Sequence, residues 1–263
     1  MTQGALRLEI ERHPAVNHIF LHRCATSPFS REDYRIFGEN YFPLACLSPI
    51  HLERLVRRAP SPSERHALEE LRSRDEDARA LYERFLCAAK SSVPDALTAR
   101  VPGPAYRFTR KVQRILAEEP FEVALGAVVP IFAWAVPRMF ASLLAGLTRA
   151  GFSEEELRYF TREEPKGEVF SAALSAPQIR RGALLCLEAY GELWTGVQSA
   201  VVRYRQPRAA RPDGPRPRSA LHEILLTTWD GLRVARLLEQ KLVERQERAR
   251  PTLAELLSSL PSV

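Results

Sequence analysis

The side chains in this sequence that can do chemistry are few and scattered. There are six histidines: His13, His18, His22, His51, His66 and His222. His18 and His22 stand four apart, a spacing that chelates a metal when both rings share one helical face. The same spacing also describes two imidazoles on a solvated face, and both readings stay open. His51, two residues before Glu53, is equally ambiguous. The four cysteines, Cys24, Cys46, Cys87 and Cys186, show no C-x-x-C spacing. They read as thiols filling core space in a reducing compartment, not as disulfides or metal ligands. No G-x-G-x-x-G or G-x4-G-K-[ST] loop is present to cradle a phosphate, and no G-x-S-x-G elbow to present a nucleophilic serine.

Composition narrows the class. The chain has 263 residues, 45% hydrophobic and 27% charged, as an ordinary soluble globular protein does. The opening MTQGALRLEIERHP mixes acids into its first turns and lacks the apolar core of a signal peptide. A cytoplasmic protein is the expectation. The net charge of +6 raises the question of nucleic acid. Arginine, however, is spread along the chain and accompanied by Glu or Asp, as in SREDYR and EEELRYFTREEP. That is the pattern of a salt-bridged surface, and nucleic acid is not an expected partner.

Positioning falls to helices, because no alternating Val/Ile/Thr run suggests a strand. A first helix is predicted over PAVNHIFLHRCA. Ser30 and Asp33 cap a second, REDYRIFGENYFPLACLSPIHLERLVRR, which Pro43 and Pro49 are expected to bend or interrupt. Ser61-Pro62-Ser63-Glu64 opens a third helix, and DEDARALYERFLCAAK forms a fourth. A basic amphipathic helix follows from Tyr106 to Glu119. The centre of the fold is Phe121 to Leu147, apolar on nearly every side with Glu122 and Arg138 its only charges. Its longest uncharged stretch, Val123 to Pro137, is 15 residues, short of the roughly 20 that cross a bilayer. A buried central helix kinked by Pro130 and Pro137 is the reading, with no membrane span.

Gly151 suits the left-handed residue that ends this helix, and Ser153 with Glu156 caps the next. Phe152 and Leu157 are placed to staple it. A long helix then runs from about Pro177 to Arg205. Residues 206–218, QPRAARPDGPRPR, carry four prolines and four arginines and read as an exposed linker. Residues 219–263 return to helical periodicity, with Thr252 and Glu255 capping a last short helix. The apolar face of this tail is broad enough that it is expected to dock on the domain formed by residues 1–205. Engagement of a protein partner by the tail is the alternative.

In this order and spacing, several segments resemble the haem-oxygenase-like helical family that includes thiaminase-II-type proteins, pyrroloquinoline-quinone synthase and non-haem di-iron oxidases. They are HPAVNHIFLHR, IFGENYFPLACLSPIHLERLV, HALEEL with ALYERFL, ALGAVVPIFAWAVPRMFASLL and GFSEEELRYF. The likeness spans roughly residues 13–205 and implies an all-α bundle of seven to nine helices. The metal-binding members bring helical carboxylates and histidines together in the bundle interior. Laid on this sequence, their first glutamate falls at Glu69 or Glu70 and their histidine near Asp77 or Ala78. The central glutamate falls at Ala133 or Trp134, and the final run on Glu163, Gly167 and Phe170. No histidine survives, and a tight ferrous site needs imidazole or several carboxylates. The expectation is therefore no metal and no cofactor.

The resemblance also outlines an interior. Tyr41, Phe132, Trp134, Phe160 and Phe170 would line it with aromatic surface beside His51, and Glu70 and Glu163 would be its polar points. A buried carboxylate there acts as general acid or base because burial raises its pKa. One functional expectation is thus a metal-independent, oxidoreductase-like enzyme of small-molecule metabolism, with Glu70 and Glu163 catalytic. The other is a catalytically silent relative, its interior filled by aromatics, that binds a ligand, a carrier protein or an enzyme partner. A homodimer is compatible with either.

Overall fold

The computed structural model describes residues 2–75, 77–93, 100–161, 177–205 and 250–258. Its elements are all helical: α1 (Gln3–Arg12), α2 (Ile19–Thr26), α3 (Arg31–Arg58), α4 (Pro62–Asp75), α5 (Ala78–Ala88), α6 (Gly103–Glu118), α7 (Phe121–Pro130), a π-turn (Ile131–Ala135), α8 (Val136–Arg149), α9 (Pro177–Arg205) and α10 (Leu253–Ser258). Among the described residues the one β-type pairing is an isolated antiparallel bridge between Arg100 and Thr252. The all-α expectation holds. The 206–218 linker, His222 and most of the tail lie outside the described residues.

The helix starts follow their capping chemistry. Ser30 and Asp33 form a reciprocal capping box at α3, and the Glu64 amide donates to Ser61 Oγ at 3.2 Å at α4. At α10 the Glu255 amide donates to Thr252 Oγ1 at 3.1 Å, and the Thr252 amide to Glu255 at 2.7 Å. α8 ends in a Schellman motif: the Phe152 amide donates to Leu147 O and the Gly151 amide to Thr148 O. Gly151 has φ +83°, where a side chain would be strained. Beyond it the Ser153–Glu156 box forms, and Phe152 and Leu157 are buried. The chain runs on through hydrogen-bonded turns as far as Thr161, so the regular helix expected there is absent from the described residues.

Three expectations change. The N-terminal residues form α1, whose apolar positions Leu6 and Ile10 are one helical turn apart and fully buried. The helix expected from Pro14 begins at Ile19, because His18 is its N-cap and its Nδ1 accepts from the Phe20 amide at 3.1 Å. Finally, α3 runs unbroken through Pro43 and Pro49. Each proline forfeits one backbone bond, but both halves of α3 are held by neighbours, α5 along the first and α4 along the second.

The central run is continuous from Phe121 to Arg149 and is mostly buried inside the bundle, as a core helix is. It is interrupted only by the π-turn, where the Val136 amide donates to Ile131 O, five residues back. The cause is Pro137: it has no N–H for Ala133 O, and its ring crowds that carbonyl, so the preceding turn widens. α7 lies against α9 backbone to backbone. A Cβ on Gly182 would collide with Val123 O, and one on Gly126 with Ile179 O.

Arginine guanidinia tie the helix ends together. Arg31 reaches the carbonyls of Ala88, Ala150 and Gly151 and lies over the Phe152 ring, 4.6 Å from its centroid. Arg58 donates to Leu116 O and Glu119 O, and Arg149 to Ala25 O and Ser27 O. Replacing Arg31 by Met leaves the C-terminal carbonyls of two helices uncovered and is expected to cost roughly 2–3 kcal/mol. Arg114, whose ion pair with Glu118 is exposed, is the control: Arg114→Met should leave stability unchanged. Urea unfolding of both variants checks this, and equal effects would remove the clamp from the account.

Candidate functional site

The bundle interior is built of rings. Trp194 of α9 lies parallel to Tyr41, with centroids 5.9 Å apart and planes 8° apart, and stacks on Phe20 and Phe37 at 6.0 and 6.4 Å. Its indole N–H donates to Met139 Sδ at 3.2 Å. On the other side of Tyr41 is Tyr82 at 5.8 Å, which meets Tyr159 edge-on at 4.7 Å. Phe160 closes the group against Phe85 at 4.9 Å and Phe140 at 5.1 Å. These are offset and edge-to-face geometries that hold aromatic rings together beyond their area burial. The phenol of Tyr82 donates to Gly38 O at 3.1 Å, in the middle of α3.

The proposed site residues divide against this frame. Tyr41 and Phe160 lie within the ring cluster. Trp134 and Phe132 sit in the π-turn, Trp134 buried and Phe132 partly so, and neither takes part in a described ring pair with the cluster. Glu70 faces outward on α4, its side chain 50% exposed and 3.6 Å from His66. α4 puts Leu68 and Leu71 into the core, and that register turns Glu69 and Glu70 to solvent. Glu70 therefore does not supply the buried carboxylate that raised-pKa acid–base catalysis requires. Glu163, Gly167 and Phe170 lie outside the described residues. Periodicity turns Tyr190 with Trp194 and Tyr82 with Phe85 toward the core, and they are buried there, but the sequence did not mark Trp194 or Tyr82 as site positions, nor Phe37, Phe140 and Tyr159.

Of the positions onto which the resemblance lays metal ligands, the described ones offer no converging set. Asp77 is exposed, and Ala78, Ala133 and Trp134 are buried without a ligating atom. Among the described residues no three His, Cys, Asp or Glu side chains converge as a metal set. The His18–His22 pair does not chelate. His18 caps α2 with Nδ1 and places Nε2 3.1 Å from Thr195 Oγ1, while His22 points to solvent. Glu53 is engaged by Arg57 and Arg72, at 3.2 and 2.5 Å, and not by His51.

Burial holds four groups of the interior neutral: two thiols, one phenol and one imidazole. Burial pushes the thiols of Cys46 and Cys186 up to about 12, so neither is a thiolate nucleophile at neutral pH. Burial drives the Tyr82 phenol upward, and the neighbouring phenols of Tyr159 and Tyr41 add to it once they ionise. His51 is 7% exposed, and its Nε2 has no hydrogen-bond partner. Burial, reinforced by nearby Arg54, lowers it to about 3.

His51 gives a pH dependence of known sign. Its folded pKa lies below the ordinary 6.5, so the unfolded chain takes up the proton first and stability falls as pH drops from about 6.5 toward 3. Between pH 7.5 and 5 this one group should remove about 2 kcal/mol. His13 and His18 are also lowered by burial and add in the same direction. His51→Leu should flatten the profile by that amount in urea titrations at the two pH values, and an unchanged slope would show that His51 is not buried neutral. For the π-turn, Trp134→Ala should cost ~3–5 kcal/mol by leaving a cavity. A loss below ~1 kcal/mol would mean that the indole packs loosely.

No protein-family model matches the sequence, and no curated protein matches it. Solved structures do. A TenA homologue from Pseudomonas syringae pv. tomato str. DC3000 superposes with a TM-score of 0.58 at 11% identity, covering 76% of this chain and 89% of that one. A protein described as a TenA family transcription regulator from Silicibacter sp. TM1040 superposes with a TM-score of 0.57 at 14% identity, covering 75% and 95%. At such identities the likeness concerns architecture: the chain has the all-helical, TenA-like fold that its sequence resembles.

Proposed function

We propose that this protein is a catalytically silent relative on the TenA-like fold, a cytoplasmic scaffold that works by binding a protein partner. One observation carries the reading. The interior expected to receive a substrate is packed ring on ring about Trp194, and burial raises the pKa of its Cys46 thiol and Tyr82 phenol. The rival, a metal-independent oxidase with Glu70 and Glu163 as acid and base, finds Glu70 on the outer face of α4. One structural neighbour is described as a transcription regulator, but several described arginines that DNA binding would call on are already engaged. Arg31, Arg58 and Arg149 are committed to backbone carbonyls, and Arg35, Arg79 and Arg180 to carboxylates.

The test is a thermal-shift and tryptophan-fluorescence titration with flat aromatic probes: quinones, pyrimidines and aromatic carboxylates. A ligand at 100 times its Kd stabilises by about 2.7 kcal/mol, which raises Tm by several degrees in a chain of this size. No saturable shift is expected. A shift that saturates and disappears in Tyr41→Ala would overturn the silent reading in favour of a working pocket.

A further inference from the structure

α1 is attached to the bundle by one narrow apolar face. It has ten residues, too short to be stable alone. It packs on the π-turn and on α9, seating Leu6 and Ile10 at full burial while leaving Leu8 exposed. At its C-terminal end the Asn17 side chain donates to Glu11 O at 2.8 Å, and ion pairs hold it at the rim. Glu9 takes Arg180 of α9 at 2.5 and 2.8 Å, and Glu11 faces Arg138 of α8 at 3.4 Å. Such partly exposed pairs are weak and salt-sensitive. The chain is anchored again just beyond it, where Ala15 and Val16 are buried and the His13 carbonyl accepts from the Val16 and Asn17 amides, so release of α1 ends at His13. Beneath α1 lies the one turn in the described helices that departs from α geometry, a feature that recurs at functional sites.

We propose that α1 is a displaceable strap, and that the groove it fills, floored by the π-turn and rimmed by Arg138 and Arg180, docks an amphipathic acidic helix of a partner protein. α1 shows what fits: apolar residues at i and i+4, with glutamates at the positions next to the second of them, facing the two arginines. This is helix-in-groove recognition, with electrostatic matching that selects the partner's acidic flank. It rests on the protein-partner reading given under Proposed function and names the surface used.

Two measurements on the full chain test it. Hydrogen exchange should show the amides of α1 exchanging at least tenfold faster than those of α7 and α8, and faster still in 0.5 M NaCl. A fluorescein-labelled peptide of residues 2–13 should bind the chain saturably by anisotropy. That binding should weaken at least fivefold in 0.5 M NaCl and in the double variant Arg138→Gln/Arg180→Gln, whose Tm should stay near wild type because both side chains are about half exposed. Exchange of α1 as slow as that of α8, absence of saturable peptide binding, or binding indifferent to both salt and the variant would each overturn the proposal. A small-molecule thermal shift with α1 still opening freely would count against the silent reading alone, whereas a rigid α1 with no such shift would count against the strap alone.

Discussion

The bundle depends on how the carbonyls at its helix C-termini are satisfied. Each α-helix leaves its last four C=O groups without intrahelical partners, and burying one unpaired is expensive. Here arginines from other helices supply the donors: Arg31 covers the ends of α5 and α8, Arg58 the end of α6, and Arg149 the end of α2. A guanidinium suits the task because its five donors reach two or three carbonyls at once. It also brings positive charge to the negative end of the helix dipole. The arrangement helps explain the basic composition as a consequence of fold. It also fixes where the helices sit relative to one another, because a clamp that joins residue 31 to residues 88 and 150 sets three elements in one operation.

Those clamps hold the outside, and the inside is set by two contrasting contacts. Between α7 and α9 there is almost no side chain: Gly126 and Gly182 let the backbones touch. Between α3, α5, α8 and α9 there is only side chain, in the rings around Trp194 and Tyr41. Close approach on one side and bulky filling on the other place α9 between them, and interiors at crystal-like density leave little room for either to change alone. Trp194 is therefore as much a spacer as an aromatic surface, and its indole N–H is satisfied by Met139 without calling on water.

How much of this was legible in the sequence depended on the range of the interaction. Caps are local, and Ser30–Asp33, Ser61–Glu64, Gly151 and Thr252–Glu255 all formed where their spacing put them. The bounds of α9, Pro177 to Arg205, were equally readable from periodicity. In α3 the prolines did not interrupt the helix, because tertiary contacts outweighed two lost backbone bonds. They informed in the central helix, where Pro137 set the π-turn. The site was the least legible part. Tyr41 and Phe160 were found by likeness to a family, but the same likeness put Glu70 inside, and only the register of α4 decides which of two adjacent glutamates faces solvent; here both do. No local pattern announces that Tyr82 of α5, Tyr159 beyond α8 and Trp194 of α9 meet at one place.

The aromatic interior obeys one constraint. A bundle centre must be filled, and a single polar group left there would be costly without a partner. Ala78, Ala133 and Trp134 are buried without an unsatisfied oxygen, and the Tyr82 phenol donates to Gly38 while its ring meets Tyr159. His51 is the exception that shows the rule's force: buried with an unpartnered nitrogen, it persists by staying neutral. An interior assembled this way favours one rigid arrangement over a polar pocket. At the periphery the hold is lighter: α1 buries Leu6 and Ile10 and meets Arg138 and Arg180 through partly exposed ion pairs.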